Sequence, residues 1–119
     1  MALATRPENT RRVIVGMQIE MGRSGDASVL RVSGRLDAAH AQAFAEALLP
    51  LLGDAGASPV LDLSGVEYVS SAGLRVLLQA ARKLQARAAR LTLTQVPAPV
   101  YAVLTLSGFA TFMTLQAQE

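Results

Sequence analysis

Apolar and polar residues alternate along several short parts of the chain, and this period of two predicts β-strands. Five segments are predicted as strands, 13–21, 28–33, 59–63, 91–96 and 109–115, and the alternation is clearest in 28–33 and 91–96. A turn-forming stretch at 22–26 separates the first two and favours an antiparallel hairpin. The third is a short apolar run in which Asp62 is the only charge, which is typical of a central strand.

Three further segments predict helices, and each has a recognisable beginning or end. The first follows the bend at Asp37, which can cap it, and Pro50 should bend or end its last turn. The second spans about residues 71–88, and its apolar positions recur at i, i+3, i+4 and i+7: Leu74, Leu77, Leu78, Ala81 and Leu84. The third opens at 97–99, since proline suits a first turn, and Gly108 stops it.

The element order β-β-α-β-α-β-α-β predicts an α/β domain with a mixed sheet of about five strands and helices packed against it. The hairpin supplies the antiparallel pair, and strands connected through helices become parallel neighbours. Residues 13–119 are expected to form this single domain, and the polar segment 1–12 is interpreted as a flexible lead-in. The chain has 119 residues and is 51% apolar, which suits one core.

Composition argues against several functional classes. The chain has no cysteine, so it has no disulfide and no thiolate metal site, and its scattered acidic residues suggest no metal cage. The net charge is only +2, and no basic run is interleaved with aromatic residues, so nucleic acid is not an expected partner. No segment has the length of a membrane span or the pattern of a signal peptide, which predicts a cytoplasmic protein without membrane contact.

Catalytic motifs are weak throughout the sequence. His40 is the single histidine and is interpreted as a solvated helix residue rather than a base. The segment 71–73 lacks the flanking glycines of a nucleophile elbow, and the glycines form neither a Walker loop nor a dinucleotide fingerprint. The sequence therefore predicts a protein that is not an enzyme and that binds no cofactor and no metal.

Two serines, Ser70 and Ser71, lie where the second helix should begin. They can simply cap free backbone N–H groups, which is the common role of serine at this position. Alternatively, one of them accepts a phosphate, which a helix N-terminus stabilises. Arg75 and Arg82 lie two turns apart on a similar face of the helix and form either an ordinary solvated surface or a rim for an acidic partner.

Three motifs together resemble the STAS domain family, in particular its free-standing anti-sigma factor antagonists. Residues 61–74 (LDLSGVEYVSSAGL) look like the family's strand, loop and phosphorylation motif. Residues 34–37 (GRLD) are similar to its second-strand exit, and 106–109 (LSGF) to its late stop. The resemblance spans about residues 13–115 and implies a STAS-like domain.

The resemblance also implies a partner-switching mechanism. The unmodified protein would bind an anti-sigma factor serine kinase with a histidine-kinase-like ATPase fold, and phosphorylation would end the complex. A metal-dependent serine phosphatase would restore it. The acceptor position corresponds to Ser71, Ser70 stands where the family has Asp, and Ala72 replaces a Ser or Thr that would compete as acceptor. Asp37 matches the acidic residue near the family's site.

The partner surface is expected to combine Asp37, the turn Ser70-Ser71-Ala72-Gly73 and Arg75. These segments converge if the second and third predicted strands are neighbours that end at the same sheet edge. Two other hypotheses remain open. One is a STAS adaptor subunit that is never phosphorylated, for instance in a lipid-transport or stress-sensing assembly. The other is an enzyme with an unrecognised site.

Overall fold

Six strands and three helices make up the part of the chain that the computed structural model describes, which is residues 11–14, 16–25, 27–53 and 59–118. The strands are β1 (Arg11–Ile14), β2 (Met17–Ser24), β3 (Ala27–Leu36), β4 (Val60–Val69), β5 (Thr92–Val96) and β6 (Thr114–Ala117). The helices are α1 (Ala41–Leu48), α2 (Ser71–Gln85) and α3 (Ala98–Leu106). Short 3-10 turns follow α1 at Leu49–Gly53 and α3 at Phe109–Thr111.

The strands form one sheet in their sequence order, from β1 to β6. β1, β2 and β3 pair antiparallel, and β3, β4, β5 and β6 pair parallel. The parallel pairs are connected through α1, α2 and α3, as a parallel crossover requires. The expected α/β domain with a mixed sheet is therefore confirmed.

Alternating burial gives the sheet one apolar face and one solvated face. Leu30, Leu61 and Leu93 lie in register on neighbouring strands and are fully buried. They belong to one hydrophobic cluster with side chains from all three helices, including Phe44, Leu48, Leu77, Leu84 and Leu104. On the opposite face, Arg31 donates to the carboxylates of Glu20 and Asp62 across two strand pairs, at 3.3 and 3.2 Å. The helices thus cover one face, and polar side chains occupy the other.

The strand boundaries differ from the prediction, and three of the differences change the picture of the sheet. The first predicted strand is two strands, β1 and β2, so the sheet has a sixth strand, and β1 starts inside the predicted lead-in; residues 1–10 lie outside the described part. β4 continues past the predicted end at Leu63 to Val69, because β3 also pairs with Gly65, Val66, Tyr68 and Val69. The last strand starts at Thr114 rather than Phe109, since a 3-10 turn occupies the first part of the predicted segment.

The helix boundaries also show differences. α1 begins at Ala41, and Asp37 does not cap it, because a turn at 38–40 separates the two. α2 ends three residues before the predicted Ala88, whose φ of +58° is incompatible with continuing the helix. Pro50 does lie where the helix ends, in the 3-10 turn after α1. Gly108, with a φ of +79°, follows α3 as predicted.

Candidate functional site

The ends of β3 and β4 meet at one edge of the sheet. Leu36, the last residue of β3, is in register with Val69, the last residue of β4. The backbone N–H of Ser70 then donates to the carbonyl oxygen of Leu36 at 2.9 Å. Asp37 follows Leu36 directly, so the acidic bend and the serine pair are neighbours in space. The expected convergence of these two segments is confirmed.

The two serines have different environments. The Ser70 hydroxyl donates to the Leu36 carbonyl oxygen at 3.2 Å and accepts from the Gly73 N–H at 3.4 Å, which makes Ser70 the N-cap of α2. Ser71 is the first helical residue and is exposed, and its hydroxyl has no hydrogen-bond partner among the described residues. The capping role therefore falls to Ser70, and Ser71 has a free hydroxyl at the start of the helix.

Gly73 is buried beneath this turn. An added Cβ there would lie 2.7 Å from the Leu36 carbonyl oxygen and 3.1 Å from a methyl carbon of Val69. Only a residue without a side chain lets α2 approach the end of β3 this closely. Gly73 thus forms the buried side of the turn, whereas Ala72 is half-buried and Ser71 lies at the surface.

Asp37 is held by two basic side chains. Its Oδ1 lies 2.7 Å from Nδ1 of His40, and its Oδ2 accepts from Nε of Arg35 at 3.4 Å. The His40 backbone N–H also donates to the Asp37 carbonyl oxygen at 3.1 Å, which closes the turn 37–40. The carboxylate is therefore oriented before any partner arrives.

These contacts change the acidity of Asp37. Partial burial raises the pKa of its carboxyl, but hydrogen bonding and charge attraction from His40, with the Arg35 hydrogen bond, outweigh that effect. The pKa of Asp37 consequently lies below its ordinary value of 3.8. Asp37 presents a negative charge at neutral pH, at the same edge of the sheet as Ser71.

Two exposed cations flank this edge. The guanidinium of Arg35 lies 4.5 Å from the ring centroid of Tyr68, a cation–π geometry that holds it over the exposed aromatic ring. Arg75 is exposed on α2, four residues after Ser71, and residues at this spacing lie on the same helix face. The edge thus combines a hydroxyl, a carboxylate and two cations within reach of one partner.

Sequence reasoning missed three contributors to this site. His40 had been interpreted as a solvated helix residue, which is wrong: its side chain is only 12% exposed and pairs with Asp37. Arg35 and Tyr68 are in register across β3 and β4, and this pairing depends on the extension of β4 that the sequence did not predict. The Asp37–His40 separation of three residues is the one local signal that could have indicated their contact.

Neither a metal centre nor a membrane span is found in the described part of the chain. No group of three or more His, Asp or Glu side chains is placed to hold a metal ion among those residues. None of the helices in the same ranges has the length and apolar character needed to cross a bilayer.

The chain belongs to the STAS domain family, since the family described as Mlab, STAS domain matches residues 19–116. A curated relative is BtrV of Bordetella bronchiseptica, which is provisionally named as an anti-sigma factor antagonist. It is 30% identical over 93 residues, which cover 78% of this chain and 80% of BtrV.

Solved structures share the fold. An anti-sigma factor antagonist from Mycobacterium paratuberculosis matches with a TM-score of 0.75 and 26% identity, over 84% of this chain and 85% of that one. The phosphorylated form of the Bacillus cell fate determinant SpoIIAA matches with a TM-score of 0.63 and 18% identity, over 82% and 89% of the two chains. The second likeness shows the shared fold alone.

Proposed function

We propose that this protein is an anti-sigma factor antagonist that switches partners through phosphorylation of Ser71. In its unmodified form it binds an anti-sigma factor that is also a serine kinase with a histidine-kinase-like ATPase fold. Phosphorylation ends this complex, and a metal-dependent serine phosphatase restores the binding form. The chain contributes an acceptor hydroxyl and a recognition surface, and the catalytic groups belong to its partners.

The observation that carries the proposal is that the two serines differ in hydrogen bonding and exposure. The Ser70 hydroxyl donates to the Leu36 carbonyl oxygen and accepts from the Gly73 N–H, so it already has hydrogen-bond partners within the fold. Ser71 is exposed one residue later, at the edge of the sheet that also carries the oriented carboxylate of Asp37. The relationship to BtrV supports the same role, since that relative is named for antagonism of an anti-sigma factor.

Electrostatics explains how a phosphate would separate the partners without unfolding the protein. A phosphoserine carries about −1.5 to −2 charges at neutral pH. The first turn of α2, all of it described, contains no acidic residue, so the partial positive charge of the helix N-terminus favours the phosphate and offsets repulsion from the Asp37 carboxylate at the same edge. Buried in an interface, the same charge would be costly to desolvate, and it would also neutralise nearby Arg75.

Phosphorylation is tested by incubating the protein with ATP and an anti-sigma factor serine kinase from the same organism. Intact mass should show the addition of one phosphate, and peptide mapping should place it on Ser71. Ser71→Ala should remain unmodified, and Ser70→Ala, a matched loss of one hydroxyl, should still be phosphorylated. A phosphate on Ser70, or full labelling of Ser71→Ala, would refute the assignment.

The partner surface is tested separately by binding of the same kinase. Asp37→Ala removes the carboxylate, and Arg75→Glu reverses the exposed charge on α2, so each should weaken binding while the domain stays folded. Arg23→Glu lies in the hairpin at the end of β2 and should have little effect. If both site variants bound normally and only Arg23→Glu failed, the interface would lie elsewhere.

The second candidate is an adaptor subunit that is never phosphorylated. Two observations favour it: Ser70 replaces the Asp that precedes the acceptor in the antagonists, and the matching family description names Mlab. An adaptor would bind its assembly equally well as wild type and as Ser71→Asp. Loss of the native partner from Ser71→Asp would instead support the phosphorylation switch.

A further inference from the structure

We propose that His40 is a positioning residue of the partner surface: its imidazole holds the Asp37 carboxylate in the orientation that the kinase recognises beside Ser71. This inference rests on the proposed function and extends it to a residue outside the family motif. It assigns His40 a role through Asp37 rather than a contact with the reacting hydroxyl.

The first observation is the quality of the Asp37–His40 contact. The distance of 2.7 Å from Nδ1 to Oδ1 is that of a strong hydrogen bond to a charged acceptor. Backbone hydrogen bonding already closes the same turn, from the His40 N–H to the Asp37 carbonyl oxygen. The turn therefore does not need the side-chain pair for closure, and the pair serves to fix the carboxylate.

The second observation is that the imidazole ring of His40 packs in a defined position. An added Cβ on Gly16 would lie 3.0 Å from Cε1 and 3.2 Å from Nε2 of His40, so the ring packs over a glycine. Gly16 is itself anchored to β3, because its carbonyl oxygen accepts from the Arg35 N–H at 3.0 Å. On the other side, the His40 carbonyl oxygen accepts from the Phe44 N–H at 3.0 Å, which fixes His40 at the start of α1. The ring is thus held by the sheet and by a helix.

The third observation is what remains available on Asp37. Its side chain is 25% exposed, whereas that of His40 is 12% exposed. A carboxylate offers about four acceptor positions, and its hydrogen bonds from the His40 ring, the His40 backbone and Arg35 do not fill all of them. The remaining positions can accept from a partner. A carboxylate that is already oriented loses less conformational freedom when it binds, which increases affinity.

Four single variants test this role in the full chain. His40→Asn keeps an N–H donor near the Nδ1 position, His40→Gln places its amide near Nε2, and His40→Leu has no donor. Asp37→Asn removes the charge that His40 holds. Each is measured for binding of the same anti-sigma factor serine kinase and for thermal unfolding, and the pKa of the Asp37 carboxyl is followed by NMR in the His40 variants.

We expect His40→Leu and His40→Gln to weaken binding about tenfold, which corresponds to about 1.4 kcal/mol. His40→Asn should bind within about twofold of wild type, and His40→Leu combined with Asp37→Asn should bind no more weakly than Asp37→Asn alone. The pKa of Asp37 should rise in His40→Leu because the contact that lowers it is gone. If His40→Leu does not fold, the proposal is tested by comparing kinase binding by His40→Asn with kinase binding by His40→Gln.

Three results would each overturn the proposal. The first is equal binding by His40→Asn and His40→Gln, and the second is normal binding by a folded His40→Leu. The third is a loss of binding in the double variant that equals the sum of the two single losses. Failure of the wild-type protein to bind the kinase would instead refute the proposed function. In that case the NMR titration decides about His40. An unchanged pKa of Asp37 in His40→Leu would show that the histidine does not hold the carboxylate.

Discussion

Replacing Gly73 with alanine tests whether the turn at 70–73 depends on the close approach of α2 to β3. Alanine normally stabilises a helical position relative to glycine by about 1 kcal/mol, so helix propensity alone predicts a more stable protein. Here the new methyl group would lie 2.7 Å from the carbonyl oxygen of Leu36. That oxygen is backbone, so the contact is relieved only if α2 and the end of β3 move apart.

The expected cost follows from three effects. Overpacking of a well-packed site typically costs about 1–3 kcal/mol. Leu36 also accepts two hydrogen bonds from Ser70, and losing one of them when the backbone shifts costs about 1 kcal/mol. These losses exceed the propensity gain and leave a net destabilisation of about 2 kcal/mol. For a domain of this size, that lowers the melting temperature by about 8 °C.

Chemical and thermal unfolding of Gly73→Ala measure this loss directly. Gln79→Ala is the matched control, because Gln79 is exposed on α2 and its replacement should change the free energy of unfolding by less than about 0.5 kcal/mol. Kinase binding by Gly73→Ala should also weaken, since the shift separates Ser71 from Asp37. A Gly73→Ala protein as stable as wild type, or more stable, would refute the close-approach argument.

Three further changes have defined outcomes. Ser71→Asp should melt near the wild-type temperature, because a carboxylate in the first turn of a helix is favourable by about 0.3–1 kcal/mol; a large loss would mean that Ser71 is structural. Ser70→Ala should lower the free energy of unfolding by about 1 kcal/mol through loss of the cap, measured in urea. The pKa of Asp62 is lowered: burial raises it, but hydrogen bonds from Ser64 and the Arg31 contact outweigh this. Its stabilising effect is therefore present above about pH 4 and lost as the pH falls through the folded-state pKa, so wild type and Asp62→Asn should converge in stability in acid.

The overall architecture was predictable because local patterns determined it. The alternation in β2 and β3 and the turn between them indicated the hairpin, and the Ser24–Ala27 pairing shows that the turn is tighter than predicted. The apolar periodicity of α2 placed Leu77, Ala81 and Leu84 in the core, where all three are buried. Such patterns are visible in sequence because each depends on residues close together in the chain.

The extension of β4 was not predictable from local pattern. Ser64-Gly65 is typical of a turn, yet Gly65 lies within the strand, and an added Cβ there would lie 2.5 Å from Cβ of Ser33. The glycine therefore allows two strands to approach, and the register between β3 and β4 shifts on either side of this contact. Tyr68 reaches Arg35 only because of this extension, so the part of the site on the solvated face was missed with it.

Serine at position 70, where the resemblance implies an aspartate, has a structural reason in this chain. The side chain at position 70 donates to the Leu36 carbonyl oxygen and also accepts from the Gly73 N–H. An ionised carboxylate could accept from Gly73 but has no proton to donate, and it would place negative charge against the Leu36 oxygen. Serine thus strengthens the connection between β3 and α2 and leaves Asp37 as a carboxylate at this edge of the sheet. If a kinase requires a negative charge near Ser71, Asp37 can supply it from the same edge of the sheet. The orientation of Asp37 by His40 would then matter more in this chain than in one where an aspartate precedes the phosphorylated serine.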